Sequence, residues 1–382
     1  MNICERELKD MAFQGLNLNQ TGSNDNYQNI PQDIDNINQI FEPYGLIVND
    51  VRESSQVVRY VLDLPLDITT NQRLMRSKKA IESTLSVALK SDNISYYQIE
   101  DKIVIERKGT FNIIPFGSLY TNEFHSTSSM TSVALAQDLN GKPIYIDIAK
   151  APHVLVAGRT GSGKSETIHA ILASLLMHNT YLRGNEPYIV RTSIHIIDMK
   201  GTEYIKYKNT NISIISNELD AFTLLSNLCI EMENRYAFLA QYGCDDIDEY
   251  ISRGYNLSRE VCIIDEFADL ILKNRTVEEY VVRLAQKARG CGIHLVIGTQ
   301  SPRREVITGL IKANVPLKIA LNTTNAMESR IILDEMGAEK LYGKGDMLIK
   351  IGGDKPIRAQ GCFVSDADKM GIANVVAMSL QY

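Results

Sequence analysis

The sequence lacks the features that mark secreted, metal-binding or membrane proteins. Its six cysteines show no CxxC spacing and mostly lie among apolar residues, which argues against a zinc site or a disulfide framework and indicates reduced, buried thiols. No run of about 18 apolar residues occurs, so no membrane span is expected. The opening residues, MNICERELKD, contain no apolar secretory segment. These absences predict a cytoplasmic protein without a membrane span.

An excess of positive charge is also missing. The chain has 40 Lys and Arg against 46 Asp and Glu, for a formal net charge of -6. This balance argues against a wholly basic protein that coats nucleic acid. It still allows a local basic site, because salt screens charges beyond about 10 Å. One such stretch, residues 297–320, reads IGTQSPRREVITGLIKANVPLKIA and contains four basic residues.

The 382 residues allow two or three domains. Residues 1–38 are predicted to be a flexible N-terminal segment, because residues 15–38 are rich in Asn, Gln, Asp and Ser. Residues 39–120 have a strand–strand–helix–strand–strand pattern typical of a small α+β subdomain. In residues 121–382, apolar runs alternate with helical stretches. That alternation predicts an α/β domain with a mostly parallel sheet and helices on both faces.

A phosphate-binding loop is predicted at GRTGSGKS, Gly158 to Ser165, between the strand HVLVA and a helix. Glycines let the backbone wrap phosphates, and the helix N-terminus offers free N–H groups. Lys164 is expected to neutralise phosphate charge, and the Ser165 hydroxyl to reach Mg²⁺. ATP and Mg²⁺ are the predicted cofactors. The predicted ATP-binding residues are Gly158, Arg159, Thr160, Gly161, Ser162, Gly163, Lys164, Ser165 and Glu166.

Two acids follow a second apolar strand, VCII, in VCIIDEFADL. Asp265 is expected to hold Mg²⁺, mostly through water, and Glu266 to orient and deprotonate the attacking water. The alternative is an exposed acidic strand end. Asp198 in IHIIDMK competes for the role of Asp265, but the Asp-Glu pair favours Asp265 and leaves Asp198 a structural role or one behind the metal-binding residues.

A third apolar strand, IHLVIGTQ, ends in Gln300. A polar amide at a strand end beside a nucleotide could sense the γ-phosphate. The same amide could instead make a simple strand-end hydrogen bond, and the sequence leaves both interpretations open.

These residues resemble the FtsK/SpoIIIE family of DNA translocases. The resemblance covers roughly residues 35–370, includes the upstream α+β unit, and follows that family's segment order. The similar segments are HVLVAGRTGSGKS, IIDMKGTEY, EMENRYAFLAQYG, IIDEFADLI, VVRLAQKARGCGIHLVIGTQSP, VITGLIKANVPLKIAL and SRIILDEMGAEKLYGKGDMLI.

The resemblance implies a RecA-like P-loop ATPase motor that forms a ring, usually a hexamer, around double-stranded DNA. ATP hydrolysis at the subunit interfaces would move the duplex through the pore. Such rings use a cation from the neighbouring subunit to stabilise transition-state charge, and the matching residue is Arg289 in RLAQKARGCG. The alternative for Arg289 is a salt bridge within its own subunit. The predicted catalytic residues are Lys164, Glu266, Gln300 and Arg289.

The resemblance also implies which cations face DNA. Lys312 in GLIKANVP and Arg330 in ESRIIL match positions expected to contact phosphates without reading base sequence. The family commonly has Arg where this chain has Ser301. Arg303 and Arg304 follow closely and are predicted to take over that contact. Each of these cations could instead be an ordinary solvated surface charge.

Full-length relatives carry an N-terminal membrane region and a C-terminal winged-helix domain. Here Met1 is expected to be a start without a span, and the chain after GCFVSDAD is too short for a winged helix. The prediction is a bare motor for plasmid, conjugative or phage DNA, with a loading or recruitment protein as a further partner. One alternative is a nucleotide-gated DNA-binding scaffold or coupling protein without processive translocation. Another is a motor that moves a protein or single-stranded DNA.

Overall fold

A computed structural model describes residues 30–65, 67–91, 94–180 and 192–379. Within these residues the chain forms two compact units. The smaller comprises residues 30–113 and 137–142, and the larger comprises residues 114–136 and 143–379. The predicted domain boundary at residue 120 lies near this division.

The smaller unit is an antiparallel sheet with the strand order β1-β2-β4-β3. The sequence predicted all four strands, and Glu100 and Asp101 form the predicted β3–β4 turn. The predicted helix is two helices that meet at Ser77. The elements are α1 (Ile30–Phe41), a 3-10 helix (Glu42–Tyr44), β1 (Val48–Glu53), β2 (Val57–Asp63), α2 (Ile68–Arg76), α3 (Lys78–Ala88), β3 (Ser95–Ile99) and β4 (Lys102–Lys108).

Helix α1 corrects the prediction of a flexible segment, which is wrong for residues 30–38. An apolar stripe at helical spacing is hidden among the Asn, Gln and Asp residues of this segment, and its members Ile37 and Phe41 are fully buried against the sheet. Asp33 adds a buried anchor, since it accepts a 2.6 Å hydrogen bond from the Tyr60 hydroxyl and pairs with Arg107. The rest of the segment, residues 1–29, lies outside the described residues.

The larger unit is built on a ten-stranded sheet with the order β6-β5-β14-β13-β12-β7-β11-β10-β8-β9. Its central run, from β12 to β9, is parallel. The strands are β5 (Ser132–Asp138), β6 (Pro143–Asp147), β7 (His153–Ala157), β8 (Ser193–Ile197), β9 (Ile212–Ile215), β10 (Glu260–Ile264), β11 (Ile293–Thr299), β12 (Leu317–Leu321), β13 (Asp346–Ile351) and β14 (Ile357–Gly361).

Helices cover the sheet on two sides, and each side has its own large apolar cluster. Every residue of β7 and β11 is buried, as the continuously apolar strand sequences predicted. The helices are α4 (Phe116–Leu119), α5 (Asn122–Thr127), α6 (Lys164–Asn179), α7 (Glu218–Gln241), α8 (Ile247–Ser252), α9 (Phe267–Ile271), α10 (Thr276–Lys287), α11 (Gly309–Asn314), α12 (Ala326–Leu333) and α13 (Asp366–Ser379), with 3-10 turns at Ile205–Tyr207 and Ala338–Lys340.

The predicted fold class, a P-loop α/β domain with a mostly parallel sheet preceded by an α+β unit, is confirmed. The antiparallel strands β13 and β14 extend the sheet past the predicted parallel set. Because β7, β8, β10 and β11 are parallel neighbours, their carboxyl ends meet at one edge of the sheet. Ligands bind at this edge in open α/β sheets.

Candidate active site

The phosphate loop connects β7 to α6 and is fixed by the neighbouring strand ends. The Gly158 N–H donates to the Thr299 carbonyl at 3.3 Å, and the Arg159 N–H donates to the Asn322 carbonyl at 2.9 Å. At Gly163 the φ angle is 109°, and a Cβ atom there would lie 2.5 Å from the Gly345 nitrogen. Only glycine fits this position, so the loop keeps its shape where α6 begins.

Lys164 and Asp265 join the two halves of the site. The Lys164 ammonium lies 2.8 Å from the Asp265 carboxylate and also contacts the Asp265 carbonyl oxygen. Both side chains are at least nine-tenths buried. Asp265 directly follows β10, and its N–H donates to the Ile197 carbonyl at 3.0 Å, which fixes it against the end of β8. The structure thus brings together two residues that are 101 positions apart in sequence.

Tyr204 is a site residue that sequence reasoning missed. Its hydroxyl donates to the Asp265 carboxylate at 3.1 Å, and its ring is fully buried. Burial, with the negative charge of Asp265 as the next cause, raises the pKa of Tyr204 well above its ordinary value, so the hydroxyl remains a donor. A tyrosine next to the turn after β8 was the only available signal.

Glu266 follows Asp265 and contacts the end of β11. Its carboxylate accepts a 2.7 Å hydrogen bond from the Thr299 hydroxyl and a 2.8 Å hydrogen bond from the Gln300 N–H. The Gln300 side-chain oxygen in turn accepts a 2.7 Å hydrogen bond from the Thr160 hydroxyl of the phosphate loop. Gln300 therefore connects the phosphate loop to Glu266 through hydrogen bonds at the end of the strand, and its sensing of the γ-phosphate stays a prediction.

The oxygen donors near Lys164 fit a magnesium ion. Ser165 lies in the first turn of α6, and the Asp265 carboxylate lies beside the ammonium of the preceding residue. A hydroxyl and a carboxylate are donors that Mg²⁺ takes together with phosphate and water oxygens. Asp198 is engaged elsewhere, since its carboxylate accepts hydrogen bonds from the backbone N–H groups of Lys200 and Glu203. That turn-forming role agrees with the structural role expected for Asp198.

Glu166, expected among the ATP-binding residues, pairs with a cation from α13. The Lys369 ammonium lies 3.1 Å from one Glu166 oxygen, and the Lys369 side chain is 8% exposed. The C-terminal helix is thereby attached to the first turn of the phosphate-loop helix.

Arg289 lies at the opposite edge of the sheet. It is exposed and precedes β11, whereas Thr299, at the other end of that strand, contacts Glu266. At about 3.3 Å per residue, β11 separates Arg289 from this site by roughly 20 Å. Across the described ranges, no ion pair involves the Arg289 side chain. The intrasubunit salt bridge that was its alternative is therefore absent from the described part of the chain.

The turn that carries Arg289 is held by a buried arginine that sequence reasoning also missed. Arg235 donates to the Cys291 carbonyl at 3.1 Å and to the Ser258 carbonyl at 2.7 Å. It also pairs with Glu260 at 2.5 Å. The signal was a charged residue on the buried side of α7, within EMENRYAFLAQYG.

Three of the four candidate DNA-binding cations meet on one surface. Arg304, Lys312 and Arg330 line a hollow of about 370 Å³ together with apolar side chains of α12 and of the loop before α11. Lys312 is half-buried and pairs with Asp334 at 2.6 Å, which offsets part of its charge. Arg303 is exposed and is not among the residues that line this hollow. The structure thus places Arg304, but not Arg303, on the cationic surface, a difference that the sequence could not predict.

Among the residues that the structure describes, no helix is long and apolar enough to span a membrane.

The sequences that this chain matches are FtsK/SpoIIIE-type DNA translocases. The profile of the FtsK/SpoIIIE family matches residues 118–262 and 256–304. The DNA translocase SftA of Bacillus subtilis (strain 168) is 43% identical over 259 residues, which cover 65% of this chain and 26% of that protein. The DNA translocase FtsK of Caldanaerobacter subterraneus subsp. tengcongensis is 41% identical over 261 residues, which cover 66% of this chain and 36% of that protein. The chain spans about a quarter to a third of the length of these relatives.

Comparison with solved structures extends the match along the chain. The pCW3 conjugation coupling protein TcpA, in a monomer form with ATPγS, matches with a TM-score of 0.63 at 27% identity. This match covers 92% of this chain and 99% of that one. The cytoplasmic domain of the type VII secretion ATPase EccC of Thermomonospora curvata matches with a TM-score of 0.56 at 24% identity, over 66% of this chain and 31% of that one. The EccC match supports the fold alone.

Proposed function

The chain belongs to the FtsK/SpoIIIE family, and from this we propose that it is an ATPase that moves double-stranded DNA through a ring of its own copies. The observation that carries the proposal is the convergence of Lys164, Asp265, Glu266 and Gln300 at one edge of the sheet. These residues supply a phosphate cation, a metal-binding acid, a base and a polar contact to the phosphate loop.

Each residue has a separate task at the nucleotide. Lys164 neutralises the β- and γ-phosphates, and the backbone N–H groups at the start of α6 bind their oxygens. Ser165 and Asp265 would hold Mg²⁺, which supplies positive charge at the phosphate oxygens when bound. Glu266 orients the attacking water and accepts its proton. Gln300 responds to the phosphate loop through Thr160.

The position of Arg289 supports a ring. It is exposed and lies about a strand length from its own nucleotide site, which is too far to act there and supports a role at the site of another copy. A trans arginine adds charge stabilisation in the transition state and is worth about 10³- to 10⁵-fold in the rate of related NTPases. We propose a closed ring, with a hexamer as the expected size, in the cytoplasm.

The DNA contact is the cationic hollow of Arg304, Lys312 and Arg330. Contacts to phosphate are independent of base sequence, as movement along a duplex requires. A few cations per subunit suffice, because the ring repeats each of them. Arg304 and Gln300 lie in one continuous loop, so a change at the nucleotide has a short path to DNA.

A second candidate function is a coupling protein that gates DNA by nucleotide binding without processive movement. The match to the conjugation coupling protein TcpA over 92% of this chain favours this possibility. It also supports a role with plasmid or conjugative DNA, for which a loading or recruitment protein would be a partner.

The test is ATP hydrolysis measured without DNA, with single-stranded DNA and with double-stranded DNA. The proposal predicts stimulation by the duplex, with little from the single strand, and its loss in Glu266→Gln. Hydrolysis that is unchanged by duplex DNA, together with nucleotide-dependent DNA binding, favours the coupling candidate. Stimulation by single-stranded DNA alone contradicts the duplex substrate.

A further inference from the structure

A short turn at the end of β11 wraps the Glu266 carboxylate. Thr299 donates its hydroxyl proton to one carboxylate oxygen at 2.7 Å, and the Gln300 N–H donates to the other at 2.8 Å. The Ser301 N–H donates to the Thr299 hydroxyl oxygen at 3.1 Å. Both oxygens of Glu266 are thus held by residues 299–301.

The Thr299 hydroxyl has a fixed orientation. Its side chain is fully buried, and a hydroxyl carries one proton to donate. Because the oxygen accepts from Ser301, the proton is directed to Glu266. Gly298 lets the end of β11 lie close to the backbone of Asp265, since a Cβ atom at this position would overlap the Asp265 carbonyl oxygen.

We propose that Thr299 is a positioning residue that holds the Glu266 carboxylate for attack and transmits DNA stimulation to it. This inference rests on the proposed function. A general base must keep its acceptor oxygen within hydrogen-bond reach of the attacking water. A glutamate without the Thr299 contact can rotate away from that position, and small displacements of a catalytic group are costly. The turn leads directly into the loop of Arg304, so DNA contact at the hollow can adjust the turn and the base together.

The test uses the full chain and compares Thr299→Val with Thr299→Ser. Valine has nearly the shape of threonine but cannot donate a proton, whereas serine keeps the donor. With duplex DNA, we expect Thr299→Val to lower kcat by about 10-fold or more, which is part of the roughly 10²- to 10⁴-fold that a general base contributes. The KM for ATP and the binding of a fluorescent ATP analogue should change by less than about 2-fold, because the contacts that hold ATP in the ground state are unchanged. Thr299→Ser should retain most of the DNA-stimulated kcat.

Thr131→Val is the matched control for losing a buried hydroxyl. Thr131 is 1% exposed and donates to the Asp147 carboxylate at 2.7 Å, the same length as the Thr299 bond. Asp147 accepts from Ala151, just before β7 begins, so this bond lies at the opposite edge of the sheet. Thr131→Val should carry a comparable stability cost and leave kcat unchanged.

The possible outcomes are distinct. A wild-type rate of DNA-stimulated hydrolysis in Thr299→Val overturns the positioning role. So does an equal loss in Thr299→Val and Thr299→Ser, or a loss of ATP binding in step with kcat. A raised DNA-free rate in Thr299→Val also overturns it, because the contact would then restrain the base. A wild-type protein that hydrolyses no ATP contradicts the proposed function itself, and this inference fails with it.

Discussion

The Lys164 ammonium and the Asp265 carboxylate lie 2.8 Å apart, nearly excluded from solvent. A buried charge is costly unless it is paired, so each of the two residues holds the other in place. Tyr204 adds a hydrogen bond to the same carboxylate oxygen. The pair therefore has two consequences, one for the stability of the fold and one for the nucleotide chemistry.

Replacing Lys164 with Ala leaves Asp265 buried without its counter-charge. We expect about 3 kcal/mol of destabilisation in chemical denaturation, as for other broken buried pairs. ATP hydrolysis should fall at least about 100-fold in a phosphate-release assay, because the phosphate cation is lost. Lys150→Ala is the control, since that side chain is 86% exposed. Unchanged stability in Lys164→Ala would show that the pair is energetically silent.

If Arg289 acts on a neighbouring subunit, two inactive variants should restore activity to each other when they are mixed. Arg289→Ala should reduce kcat by about 10³-fold or more while ATP binding remains, because the guanidinium acts on another copy. Mixing it with Glu266→Gln should restore part of the activity, since the Glu266→Gln subunits supply arginines to sites that still have Glu266. Activity that stays at the level of the two separate variants would place Arg289 outside the neighbour's site.

Two adjacent arginines should contribute unequally to duplex DNA binding. Arg304 lines the cationic hollow and Arg303 does not, so Arg304→Ala should weaken duplex binding more than Arg303→Ala. Losing a phosphate contact should also reduce the slope of log affinity against log salt by about one. Fluorescence anisotropy at several salt concentrations measures both effects, with Arg303→Ala as the matched control. Full DNA stimulation in the double variant would contradict any role for these two residues.

Two buried histidines predict a loss of stability in mild acid. Burial lowers the pKa of His153 to about 3 and that of His294 to about 4; the next cause is His294 for His153 and Arg259 for His294. The folded protein therefore binds fewer protons than the unfolded chain below pH 6.5, and stability falls as pH decreases from there toward the folded pKa values.

The contribution of His294 to this pH dependence of stability can be measured separately. Between pH 7.5 and 5.5 each should remove about 1.4 kcal/mol from the free energy of unfolding. Urea denaturation at the two pH values should show a smaller difference for His294→Leu than for the wild type. An equal difference in both proteins would mean that His294 is not buried as a neutral ring.

The sequence predicts the phosphate loop well because its fixed residues are local in the chain and its geometry follows from glycine and a helix N-terminus. Asp265 and Glu266 were recognisable as acids at the end of a buried strand. The Thr299 contact to Glu266 and the Tyr204 contact to Asp265 were not, because they join residues 33 and 61 positions apart. Such pairs depend on the strand order, which the apolar pattern does not encode.

Helix α1 illustrates a different failure. Composition suggested a flexible segment, yet a narrow apolar stripe was enough to attach residues 30–41 to the sheet of the smaller unit. Periodicity was the better guide there, because burial depends on one face of a helix and not on average polarity. The separation of Arg304 from Arg303 also needed the fold, since neighbours in a loop can point to different surfaces.

We propose that ATP hydrolysis moves this chain along duplex DNA. Displacement of a third strand from a triplex-bearing duplex measures that movement directly. We predict ATP-dependent displacement by the wild type, none by Glu266→Gln that still binds DNA, and none from a single-stranded track. Robust DNA-stimulated hydrolysis without any displacement would contradict translocation.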